Sequence, residues 1–321
     1  HVTGVQRVLF RSPTMPSELF VVDLATGAAR QLTQFNATWR SGRDVSEPQH
    51  LVVTVTPGVE LDAWFMPPAN RVEGQQYPVL LNVHGGPFTQ YGRGFFDEFH
   101  VYTGAGYGVV YCNPRGSPGQ STEFARSIIG HLGEDDYRDV MACFDAALLQ
   151  MPWADRSRLG VMGGSYGGFM TLACATAYDD RIRCSLDVVG ISHFRTFLEN
   201  TESYRRDLRR VEYGDERVPE VAAFFERIAP LNNAARITKP LFVVQGKNDP
   251  RVPVTEAEQM VKALRDQGGT AWYLMAKDEG HGFGKKANAD FQFLSQILFF
   301  REHLLRSEEH TSELQSRGLI S

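Results

Sequence analysis

"LGVMGGSYGGFM", residues 159–170, sets an apolar run against a helix-forming run, with one serine among five glycines. A strand turning sharply into a helix crowds its own backbone. Only residues without a large Cβ group fit two places before and two places after the turn. Gly163 and Gly167 hold those places around Ser165, and Gly164 and Gly168 read as further slack. A serine hydroxyl is a poor nucleophile at neutral pH and needs a base to take its proton. The elbow therefore predicts an acid and then a histidine downstream, each just past a strand.

Both are present in that order. "PLFVVQGKNDPRVP" (240–253) puts Asp249 three residues beyond Gly246, where a buried strand ends. Asp187 falls inside a strand and Asp215 inside a charged stretch, which makes them poorer choices. "AWYLMAKDEGHGF" (271–283) puts His281 between Gly280 and Gly282, in a loop that lets a ring reach over the sheet edge. His193 comes too early, and His303 sits on the closing helix. In this arrangement His281 takes the Ser165 proton and Asp249 fixes the imidazole tautomer. The developing oxyanion needs backbone donors. One is the N–H of Tyr166, and the other comes from "NVHGGP" (82–87), where Gly85 and Gly86 let the backbone approach a substrate.

Outward from the elbow, apolar runs at 78–84, 108–113, 158–163, 183–189, 240–246 and 271–276 read as buried strands. Helical periodicity falls between them at about 136–150, after Ser165, and at 255–267, and an amphipathic helix closes at 291–305. The alternation predicts an α/β fold with a mostly parallel sheet covered by helices on both faces. Two hairpins precede it, at 19–33 and 50–66, the first with nothing nearby to cover it. The stretch from 190 to 232 breaks the rhythm and reads as helical excursions that shape a pocket, with Ile191, Phe194 and Phe197 as candidate lining. Arg205, Arg206, Arg209 and Arg210 lie within it among acids. They read as a solvated helix face, with contact to a substrate carboxylate as the alternative.

The net charge of −5 and the lack of a basic run give no support to a nucleic-acid or membrane-surface role. No run of 18 apolar residues exists. Cys112, Cys143, Cys174 and Cys184 have no C-x-x-C spacing and read as buried free thiols. His50, His84, His100 and His131 lack metal-ligand spacing, so neither a metal nor a cofactor is expected.

Both ends resemble translated sequencing adapter. Encoding Arg7 to Ser12 as CGT GTG CTC TTC CGA TCT gives AGA TCG GAA GAG CAC ACG on reversal, which reads as the six residues at 306–311. Val2 to Gln6 likewise yields the four residues at 313–316. Residues 1–12 and 306–321 are accordingly expected to be foreign to the fold, with a native start lying upstream.

Five motifs, "VHGGP", "NPRGS", "GGSYGGFM", "GKNDPRVP" and "EGHGF", together resemble the prolyl oligopeptidase family of serine peptidases, over about residues 46–305. The acylaminoacyl-peptidase branch is the most similar. The resemblance implies an α/β-hydrolase domain cutting short peptides, gated by an N-terminal β-propeller whose last piece would be residues 13–45. Oligopeptidases and dipeptidyl peptidases of the family carry a tyrosine before the Gly-Gly pair, where this chain has His84. That departure implies an oxyanion hole made by the N–H groups of Gly86 and Tyr166. A carboxylesterase using the same machinery is the alternative reading, and an inactive binding scaffold a more distant one.

Overall fold

Val79, Leu81 and Val83 enter one apolar cluster while Leu80 enters another, so a single strand is buried on both faces. That strand lies at the centre of the molecule. The computed structural model describes residues 5–10 and 12–305, the first segment as backbone only.

The chain opens with β1 (Val5–Phe10), β2 (Glu18–Asp23), β3 (Ala29–Gln31) and a single helical turn, α1 (Ala37–Arg40). β4 (Gln49–Thr56) and β5 (Val59–Met66) then lead into β6 (Tyr77–Val83). α2 (Asp97–Gly104), β7 (Gly108–Cys112), α3 (Thr122–Arg126), α4 (Asp136–Leu149) and β8 (Ala154–Gly164) follow. Beyond the elbow come α5 (Tyr166–Ala177) and β9 (Cys184–Val188), then α6 (Phe194–Asn200), α7 (Ser203–Tyr213) and α8 (Pro219–Ile228). A 3₁₀ turn (Leu231–Arg236) leads to β10 (Leu241–Gly246), α9 (Val254–Asp266), β11 (Ala271–Ala276) and α10 (Lys286–Phe300), which ends in a π turn (Arg301–Leu305).

The main sheet has the order β11-β10-β9-β8-β6-β7-β5-β4. Pairing is parallel from β11 to β7, while β5 and β4 join antiparallel at the edge. Most strands read as buried are so because both faces are covered; β11 is the exception, half-buried at every position because it forms the edge of the sheet. Val140 and Phe144 of α4 and Phe169 of α5 cover one face. Phe99 and Tyr102 of α2, with Phe299 and Phe300 of α10, cover the other. α2 and α3 escaped the sequence reading because both are short.

The hairpin at 19–33 forms, as β2 and β3, with largely exposed side chains. It does gain a cover strand: β1, expected to stay outside the fold, pairs antiparallel with β2 from Val5↔Asp23 to Phe10↔Glu18. An unpaired strand edge will accept an extended segment whatever its origin. The expectation for residues 306–321 falls outside the described residues. The four cysteines are free and buried.

Candidate active site

Ser165 caps α5 with φ 60° and ψ −120°, a left-handed conformation rare outside glycine and costly to hold. Its surroundings over-determine it. The Ser165 N–H donates to the Val188 carbonyl at 2.8 Å, and its own carbonyl accepts from Gly168 and Phe169 at 2.9 and 3.1 Å. The flanking glycines are required by close approach. A Cβ on Gly163 would lie 2.5 Å from the Gly167 carbonyl oxygen, and one on Gly167 would lie 2.1 Å from that of Val83. Gly164 is slack, as expected, but Gly168 is not, since a Cβ there would meet Asp187 Oδ1 at 2.3 Å.

Tyr166 is the first residue of α5, so its N–H is among those a helix cannot satisfy internally. Its buried hydroxyl donates to Asp136 of α4, which anchors the start of the helix to its neighbour. The Gly-Gly loop abuts the elbow directly, because a Cβ on Gly85 would fall 2.7 Å from the Gly164 carbonyl oxygen. Gly86 has φ +123°, which few other residues adopt. His84 is buried, which lowers its pKa and keeps the ring neutral. Its two nitrogens hydrogen-bond with the Gly85 carbonyl at 2.8 Å and the Ser117 hydroxyl at 3.0 Å.

Asp249 and His281 meet across the ends of neighbouring strands, with Nδ1 2.7 Å from Oδ2. The Asp249 side chain is fully buried and its other oxygen is occupied, accepting from the N–H groups of Arg251 at 2.8 Å and Val252 at 3.0 Å. The carboxylate is thereby locked with one lone pair aimed at the imidazole. Asp187 lies under the elbow in β9, and Asp215 pairs with Arg217 on the surface.

A cavity of about 480 Å³ gathers these groups: Ser165, His281, Gly85 and Gly86 share its wall with Ile191, Phe197, Tyr213 and Val252. Phe194, expected to line it, does not. The residue is fully buried behind the wall, packed against Phe169 at 4.7 Å and Tyr213 at 5.1 Å. As the first residue of α6 it turns inward where Phe197, three residues later, reaches the cavity. The arginines are also corrected, since none of the four is freely solvated. Arg206 and Arg210 bond back onto the protein, while Arg205 and Arg209 line the cavity. Among the described residues no group of three or more His, Cys, Asp or Glu is placed to hold a metal.

Residues 93–307 match the model of the prolyl oligopeptidase family. The chain belongs to that family. It is 36% identical over 274 residues to an uncharacterized peptidase, YuxL, of Bacillus subtilis, a match covering 85% of this chain and 41% of that protein. It is 33% identical over 216 residues to dipeptidyl aminopeptidase BIII of Pseudoxanthomonas mexicana, covering 66% of this chain and 31% of the relative. Among solved structures, the acylaminoacyl peptidase of Pyrococcus horikoshii superposes with a TM-score of 0.88 at 29% identity, over 95% of this chain and 49% of that one. The chain thus spans less than half the length of these relatives. The fold they share is the α/β hydrolase.

Three features of the site escaped the sequence reading. Tyr213 reaches Gly86 from α7, Glu256 of α9 holds the start of the excursion, and one face of α7 turns toward Ser165. A signal existed for the last, because Arg205, Arg209 and Tyr213 recur at a spacing of four, which is one helical stripe.

Proposed function

We propose that residues 46–305 are the hydrolytic domain of a serine peptidase acting on short peptides through an acyl-enzyme. Residues 13–45 would then close a larger N-terminal domain. The observation that carries the reading is a strained serine sharing one cavity with a histidine locked to a buried aspartate. In this reading His281 accepts the Ser165 proton at Nε2 as Oγ attacks the peptide carbonyl. Asp249, accepting from Nδ1–H, fixes the tautomer and steadies the imidazolium. The N–H groups of Tyr166 and Gly86 receive the oxyanion, where losing one donor costs on the order of 10²–10³ in rate. His281 then returns the proton to the departing amine, and water repeats the cycle on the ester. Ile191, Phe197 and Val252 give the cavity an apolar floor suited to the side chain before the cut.

Parallel kinetics on acetylated peptide amides and p-nitrophenyl esters test the reading, with Ser165→Ala as the control. Amide cleavage lost in Ser165→Ala is the expected result. Ester turnover without any amide cleavage would leave a carboxylesterase instead. Absence of fluorophosphonate labelling at Ser165 in folded protein would remove the nucleophile altogether.

A further inference from the structure

Helix α7 presents Arg205, Arg209, Glu212 and Tyr213 to the cavity that holds Ser165. Positions four, seven and eight residues apart lie on one helical stripe, so this face is set by the helix itself. The arginines between them point elsewhere and bond back onto the protein, although the Nε of Arg206 is buried without a hydrogen-bond partner among the described residues. Arg206 donates to the carbonyls of Glu199 at 2.9 Å and Thr201 at 3.1 Å. Arg210 pairs with Asp207 at 2.9 Å and with Glu216.

Charges within the cavity do not cancel. Arg209 pairs with Glu212, the one carboxylate lining this cavity among the described residues. That leaves Arg205, together with Arg251 on the loop after Asp249. Arg205 has no ion pair among the described residues, and its Nε is buried without a hydrogen-bond partner. The guanidinium lies 5.9 Å from the centroid of the Tyr204 ring, and the buried N–H it leaves without an acceptor is unfavourable until an anion arrives to receive it. The planar fork of arginine matches a carboxylate with two parallel hydrogen bonds, which an ammonium cannot do. The apolar floor of Ile191 and Phe197 lies in the same cavity, so one peptide can fill the floor and reach the cation.

The geometry points to a carboxylate-binding subsite at Arg205, by which the enzyme selects peptides carrying a negative charge close to the scissile bond. The inference rests on the peptidase reading for its substrate class. Two sources offer the same group: an acidic side chain on the acyl side, or the C-terminal carboxylate of a very short peptide on the leaving side. Arg209 and Glu212, paired with each other, line the same cavity beside it.

Two matched substrate pairs separate the sources. Acetyl-Glu-Phe and acetyl-Gln-Phe aminomethylcoumarin amides probe the acyl side. Acetyl-Phe-Ala as free acid and as amide probes the leaving side. The wild-type chain should favour the charged member of one pair by about tenfold in kcat/KM, the scale of a charge-assisted hydrogen bond. Arg205→Gln should bring that ratio close to one, and Arg205→Lys should restore part of it. Arg217→Gln, which removes a cation that is 65% exposed elsewhere on the excursion, should keep the ratio. Equal rates within both pairs in the wild type, or a ratio that survives Arg205→Gln, would overturn the subsite while leaving the peptidase reading intact. A second measurement covers a chain that cleaves no peptide: protection of Ser165 from a fluorophosphonate by acetyl-Phe-Ala or by acetyl-Glu-Phe, each against its neutral counterpart. Stronger protection by an acid, lost in Arg205→Gln, sustains the subsite even if the peptidase reading falls. Equal protection removes it.

Discussion

The hydroxyl of Tyr213 donates to the carbonyl of Gly86 at 3.0 Å, across 127 positions of sequence. The bond ties α7 of the excursion to the loop proposed to receive the oxyanion. The Tyr213 ring is buried and stacked on Tyr166, with centroids 6.1 Å apart and planes 7° from parallel. One side chain thus braces both proposed oxyanion donors. Tyr213→Phe keeps the ring and removes the bond. The expected loss of stability is about 1 kcal/mol. The expected loss of kcat is about tenfold with KM little changed, because the loop acts on the transition state. Steady-state kinetics on an ester, beside a thermal melt, reads both. An unchanged kcat would mean that the loop holds its shape without α7.

Asp249→Asn tests the tautomer argument. Asparagine can still accept from the N–H groups of Arg251 and Val252, so the turn should survive. Its amide offers a donor to His281 where the carboxylate offered an acceptor, favouring the wrong imidazole tautomer. The expected fall in kcat is on the order of 10³–10⁴. The rate of fluorophosphonate labelling at Ser165 should drop in parallel, while the denaturation midpoint stays near the wild-type value. A variant retaining more than a tenth of the activity would dissociate Asp249 from the chemistry.

Much of this architecture is legible in the sequence for a local reason. Buried parallel strands are continuous apolar runs, and the elbow announces itself through glycines that the backbone demands. Asp249 and His281, chosen from chain order alone, lie 2.7 Å apart. What is illegible depends on contacts between distant elements. Nothing near Gly168 reveals that Asp187 presses against it, and nothing near Tyr213 reveals Gly86. Phe194 and Phe197 look alike on paper. Helical phase alone sends one behind the wall and the other into the cavity.

Glu256 shows how much a distant contact can matter. Wholly buried in α9, it accepts from the Ser192 and His193 N–H groups at 3.0 and 2.9 Å, and from the hydroxyls of Ser192 and Thr196 at 2.9 and 2.6 Å. These donors flank Ile191 and open α6, so the carboxylate fixes where the pocket floor begins. Glu256→Ala strands several buried donors and should cost about 3 kcal/mol or more. Glu256→Gln keeps the shape but turns donors toward donors, so it should also destabilise, though less. Urea denaturation ranks the two. Stability equal to wild type in the alanine variant would show that water replaces the carboxylate.

Asp187 sets a pH dependence whose sign follows from its burial. It is fully enclosed beneath the elbow, and Oδ1 has no hydrogen-bond partner among the described residues. Burial, with the nearby charge of Glu256 acting in the same direction, pushes its pKa up to about 7 from an ordinary 3.8. Below pH 4 the group is protonated whether the chain is folded or not, and it adds no slope. Between about pH 4 and 7 the unfolded chain releases the proton while the folded chain keeps it. Stability therefore falls as pH rises through that window, by up to about 1.4 kcal/mol per pH unit, and levels off above it. Asp187→Asn removes the titration while preserving the shape. The variant should lose this component of the slope and gain stability over wild type at pH 7.5 but not at pH 4. Urea midpoints at both pH values decide the matter: equal differences between variant and wild type would show that Asp187 does not titrate in the window. Glu98, also raised to about 7 by burial, titrates in both proteins and cancels from the comparison.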